Sequence, residues 1–111
     1  MIAVTDELLR QMVQAIVGEV APEAIYLFGS RARGEAGPES DVDLLIVERE
    51  PFGPQRPRLA EMARIRRALS AFRVPKDILA FSMDEVAYWQ DSLNHITSRC
   101  RREGRVLYVR S

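Results

Sequence analysis

The chain has 111 residues, 47% hydrophobic and 29% charged, with 16 basic side chains balancing 16 acidic ones to a net charge of zero. This fits one globular domain over residues 1–111, and it excludes a protein whose main work is coating nucleic acid or an anionic membrane, which needs a basic excess. No apolar stretch approaches the roughly 20 residues that cross a bilayer, the N-terminus lacks signal-peptide character, and a single Cys100 leaves no intrachain disulfide. A cytoplasmic protein is expected.

Thr5 is a suitable N-cap, followed by Asp6 and Glu7 where a helix dipole favours acids. Leu8, Leu9, Met12, Val13, Ile16, Val17 and Val20 then recur at helical spacing, which predicts a helix over residues 5–20 ended by Pro22. Ala24 to Phe28 reads as a strand stopped by Gly29, and Ser30 to Gly37 as a loop or short helical turn. Val42 to Val47 is apolar almost throughout, as expected of a central strand covered on both faces. Pro51, Gly53, Pro54 and Pro57 mark a loop, and Leu59, Met62, Ile65, Leu69 and Phe72 predict a helix over 58–72. Asp77 to Phe81 reads as a third strand, Ser82 with Asp84 and Glu85 as a helix start leading to Trp89. A last helix is expected over Leu93 to Glu103, capped by Gly104, with a terminal strand over Val106 to Val109. The order predicts an α/β (α+β) fold, a mixed sheet of about four strands with helices packed on it.

The segment that carries chemistry runs from Leu27 to Val47. Residues i and i+2 of a strand point to one face, so Asp41 and Asp43 project side by side at the start of an otherwise apolar strand. Partial burial of such a pair is costly unless a cation neutralises it. Asp77 is a third acid at the mouth of an apolar strand. Hard divalent ions prefer carboxylate and phosphate oxygens at about 2.1 Å, and three such acids can hold two ions about 4 Å apart for in-line phosphoryl displacement. Gly29 and Ser30, where a strand turns into a short helix, expose backbone N–H groups to a phosphate, and Arg31 and Arg33 lie within reach of the same triphosphate or of neighbouring acids.

Phe28-Gly29-Ser30-Arg31-Ala32-Arg33-Gly34, followed by Ser40-Asp41-Val42-Asp43-Leu44, resembles the signature of the minimal nucleotidyltransferases, small members of the DNA polymerase β superfamily. The signature covers residues 27–47, and element order and length extend the likeness along most of the chain. The resemblance implies a polymerase β-like fold in which Gly29 and Ser30 contact nucleotide phosphates. It implies that Asp41, Asp43 and Asp77 ligate two Mg²⁺ ions, with Asp77 near the acceptor hydroxyl. The implied reaction moves an NMP, AMP from ATP, to a hydroxyl and releases pyrophosphate. Relatives pair with a helical HEPN-type toxin, so the resemblance implies an antitoxin that adenylylates its partner or neutralises it by binding alone. Action on an RNA end or a small molecule is a third reading. Extended nucleic acid and membrane are not expected partners, and self-association is left open by the sequence.

Outside this segment, His95 has no second His and no Cys at ligand spacing, and reads as structural. Cys100 stands among arginines that would lower its pKa if exposed, but without a suitable His partner it reads as an unreactive thiol. Arg99, Arg101, Arg102 and Arg105 suit a solvated helix end, an acidic partner surface or the incoming triphosphate. Tyr88 and Trp89 fit core or interface equally.

Overall fold

The structure is a computed structural model, and it describes residues 3–37 and 40–111. Its elements are α1 (Asp6–Val20), β1 (Ala24–Phe28), α2 (Gly29–Ala32), β2 (Val42–Glu48), α3 (Arg58–Ala68), β3 (Lys76–Ser82), α4 (Met83–Tyr88), α5 (Ile96–Glu103) and β4 (Arg105–Val109). The strands form one mixed sheet in the order β3-β2-β1-β4. β1 runs antiparallel to β2 and β4, and β2 runs parallel to β3. Among the described residues no helix is long and apolar enough to cross a membrane.

Alternation along β2 explains its central position. Val42, Leu44 and Ile46 face a core built with Met12 and Ile16 of α1, Ile65 of α3 and Leu69 just after it. Leu45 and Val47 face the other way, onto Cys100, Val86 and Ile96 from α5 and α4. Both faces of the strand are therefore dry, as its continuous apolar character predicts. Asp43 has the same parity as Leu45 and Val47, so it belongs to the α4/α5 face.

Caps set several ends. The Thr5 side chain accepts from Leu8 N–H at 3.1 Å, and α1 closes on Ala21 in a left-handed conformation before Pro22. Ser82 and Glu85 form a reciprocal capping box at the start of α4.

Two helices are shorter than the periodicity predicts. α3 stops at Ala68 instead of Phe72: Ser70 and Phe72 donate to carbonyls three residues back, and the tightened turn folds Phe72 against the core. α5 starts at Ile96 instead of Leu93, because His95 is its N-cap and its ring nitrogen receives Thr97 N–H at 3.2 Å. Gly104 ends α5 for want of space. A Cβ there would stand 2.7 Å from the Leu27 carbonyl oxygen and closer still to that of Cys100.

Candidate active site

β1 ends at Phe28, which lies opposite Asp43 in the antiparallel register. The next residue, Gly29, has φ +73°, and a Cβ on it would overlap Oδ2 of Asp43 and stand 3.2 Å from its Cγ. Glycine is required here twice over, by backbone conformation and by the carboxylate lying against its Cα. Ser30 follows, half-buried, in the single turn of α2.

Arg31 fixes the start of the acidic segment. Its guanidinium donates from Nε (3.1 Å) and Nη2 (2.6 Å) to the carbonyl of Ser40, the residue before Asp41. It thus braces the far side of the loop, while Arg33 pairs with exposed Glu35 at 3.0 Å. Neither guanidinium makes a direct ion pair with Asp43, though both charges act on it through space.

Asp43 and Asp77 are register partners on the parallel strands β2 and β3, so their side chains leave the same face. Asp41 precedes Asp43 by two residues and is exposed. Burial raises the pKa of Asp43 above the usual carboxylate range; the charges of Asp77 and Asp41 push the same way, and Arg31 and Arg33 oppose them. Asp77 is drawn towards Arg66 of α3, at 3.7 Å, a pairing with no local signal, because Arg66 reads as part of a solvated helix face.

These residues suit a hard divalent cation in donor chemistry, since the half-buried Asp43 carboxylate is destabilised by burial and by neighbouring negative charge that such a cation would cancel. They are not drawn into a closed cage: among the described residues no three His, Cys, Asp or Glu side chains stand close enough to chelate one ion. Asp77 would have to leave Arg66 to join Asp41 and Asp43.

Beside the Gly29 turn is a cleft of about 100 Å³ roofed by α5, with Phe28, Gly29 and Arg33 on one side and Ile96, Arg99 and Glu103 on the other. Arg99 and Glu103 pair across one helical turn at 3.3 Å. Cys100 lines the cleft but is buried, and burial pushes its thiol up to about 12, so it is unreactive despite the arginines nearby. His95 is structural: its ring stacks on Trp89 with centroids 4.3 Å apart and meets Phe81 edge-on.

Residues 7–102 match the family described as the nucleotidyltransferase domain. The chain belongs to that family. Nucleotidyltransferase domains generally use divalent metals, in keeping with the acids on this face. Among curated protein sequences none matches the chain. In fold, this nucleotidyltransferase domain is similar to a protein of Sulfolobus solfataricus provisionally described as a nucleotidyltransferase, with TM-score 0.67 and 22% identity over 95% of this chain and 80% of that one. It is also similar to a mutant of the toxin–antitoxin MntA–HpeT, with TM-score 0.54 and 14% identity over 97% and 76% of the two chains. A toxin–antitoxin solved with AMP-PNP aligns with TM-score 0.52 and 17% identity over 92% and 74%. The expected mixed four-stranded sheet and nucleotidyltransferase fold are thereby borne out.

Proposed function

We propose that this nucleotidyltransferase domain transfers AMP from ATP to a hydroxyl of a helical HEPN-type protein, and that it serves as the antitoxin of a toxin–antitoxin pair in the cytoplasm. The observation that carries the reading is the seating of the Asp43 carboxylate on the Gly29 turn, with Asp77 as its partner across β2 and β3. Two similar structures are toxin–antitoxins and one of them holds AMP-PNP, which supports a protein acceptor and an adenine nucleotide.

In this reading the backbone N–H groups of Gly29 and Ser30 receive the triphosphate, beside the Asp43 carboxylate that fills the space where a side chain on residue 29 would stand. Asp41 and Asp43, joined by Asp77, would hold two Mg²⁺ ions. Ions held there would supply positive charge to neutralise the triphosphate and polarise its α-phosphorus. Arg31 keeps Asp41 and Asp43 in place through the Ser40 carbonyl. Asp77 orients the acceptor hydroxyl and takes its proton. The acceptor oxygen bonds to the α-phosphorus, the α–β bridging P–O bond breaks, and pyrophosphate leaves. The domain contributes position and charge, with no covalent intermediate of its own.

The engagement of Asp77 with Arg66 favours a second reading, an antitoxin that neutralises its partner by binding alone. Incubation of the co-purified complex with labelled ATP and Mg²⁺ separates the two. Transfer of label to the partner is expected, with loss of both labelling and neutralisation in Asp41→Asn/Asp43→Asn. Loss of labelling with neutralisation intact would favour binding, and no labelling by the parent chain would remove the catalytic reading.

A further inference from the structure

At the opposite end of the same sheet face is a groove that the nucleotidyl-transfer chemistry does not use. It consists of two adjoining hollows of about 350 and 460 Å³ that share Tyr26, Gln90 and Arg101 as lining. Its apolar walls come from Met83 and Val86 of α4 and from Val109 of β4. Met83 is 46% and Val109 61% exposed, so the groove is rimmed by apolar surface facing water. Its charge is biased to one sign. Arg101 and Arg102, the latter donating to the Leu93 carbonyl at 2.8 Å, line one end and Arg110 the other, while the groove's own Glu23 is already shared between Arg49 at 3.0 Å and Arg110 at 3.5 Å. Asp91 is the other acid of the lining. Among the described residues no carboxylate stands within ion-pair distance of Arg101 or Arg102.

We infer that this groove docks an acidic amphipathic segment of the acceptor protein, apolar side chains seated between α4 and β4 and carboxylates against Arg101 and Arg102. The inference rests on the reading of the domain as a transferase with a protein acceptor. Charge complementarity selects an acidic occupant, and the apolar walls select protein over RNA, whose phosphates would leave Met83, Val86 and Val109 uncovered. Position supports it too. Val47 lines the groove and shares its strand and face with Asp43, four residues away, which at the rise of a strand is about 13 Å. A partner held there lies on the side of the sheet where the acids project, close enough for a short flexible segment to present its hydroxyl.

Fluorescence anisotropy with a labelled helical peptide of Glu and Leu at helical spacing tests this, with its Lys/Leu counterpart and oligo(A) as comparisons. The Glu/Leu peptide should bind at least about tenfold more tightly than either. Arg101→Glu and, separately, Met83→Asp should each weaken it by about tenfold. Both changes lie at exposed positions that do not line the cleft beside Gly29, so binding of a fluorescent ATP analogue with Mg²⁺ should be unchanged, which also verifies folding. Equal binding of the two peptides, indifference to both substitutions, or preference for oligo(A) would overturn the inference. So would a dimer of the parent chain that Met83→Asp disperses, since a second copy would then fill the groove. Failure of the parent chain to bind the ATP analogue bears on the proposed activity alone, because the peptide preference is read without nucleotide.

Discussion

Gly29 and Asp43 share one space: the carboxylate of Asp43 occupies the volume a side chain on residue 29 would need. This ties the turn after β1 to the acid on β2. Because residue 29 has no side chain, the carboxylate can lie against the turn, which fixes where the acid stands relative to the backbone of Gly29.

Gly29→Ala should therefore be damaging beyond its size. The new methyl meets Asp43 Oδ2 in a backbone conformation, φ +73°, that alanine adopts only with strain. A stability loss of about 1–3 kcal/mol in urea unfolding is expected, with a larger proportional loss of nucleotide affinity. An alanine variant equal to the parent in both would show that the turn is not fixed by Asp43.

Asp43→Asn separates stability from function. The folded pKa of Asp43 lies above its ordinary value, so its ionisation opposes folding: stability is greatest below the ordinary carboxylate pKa and declines as pH rises through the folded value. At pH 7 without metal the Asn variant should melt at a higher temperature than the parent. Mg²⁺ should raise the melting temperature of the parent and leave that of the variant nearly unmoved. An Asn variant that melts lower in metal-free buffer contradicts this account.

Arg66→Ala releases Asp77. The pair is half-exposed on both sides and 3.7 Å apart, so its loss should change stability by less than about 0.5 kcal/mol. The Mg²⁺ concentration for half-maximal transfer should fall several-fold, because Asp77 no longer divides itself between a guanidinium and a cation. An unchanged Mg²⁺ titration would place Asp77 outside the metal site.

Glu48 predicts a pH effect at the far end of β2. It is 3% exposed, its Oε1 pairs with Arg56 at 2.8 Å, and its Oε2 has no hydrogen-bond partner among the described residues. Burial, followed by the neighbouring Glu61 carboxyl, pushes its pKa up to about 8. A raised carboxyl pKa means the folded state retains a proton that the unfolded chain loses, so stability should decline from about pH 4.5 to about pH 8. Glu48→Gln should flatten that decline and stabilise the fold above pH 8 by roughly 1–2 kcal/mol, read from thermal melts across the pH range. A Gln variant with the parent's pH slope would assign the effect elsewhere.

Local patterns made much of this protein legible. The acids of the first turn and Thr5 marked the start of α1, and the Ser82–Glu85 pair marked that of α4. Unbroken apolar character marked β2 as a covered strand. The Gly29-Ser30 turn and the Asp41-x-Asp43 spacing led to the family that the match over residues 7–102 then established. These signals lie within a few residues, where period 2 and period 3.6 fix which side chains share a face. Helix ends were read less well, because the turn at 69–72 and the cap at His95 are set by what packs beneath them.

By itself the sequence determined the order of the elements and the family, both written in short-range spacing, and it pointed to the acids proposed for the site. Only the tertiary structure decided that Asp77 stands beside Asp43, that Arg66 competes for it, that Arg31 braces Ser40, and that an arginine-rimmed groove opens on the same face. Those relations depend on the parallel register of β2 with β3 and on how α3, α4 and α5 pack over the sheet, and packing between distant segments leaves no periodic trace in either of them.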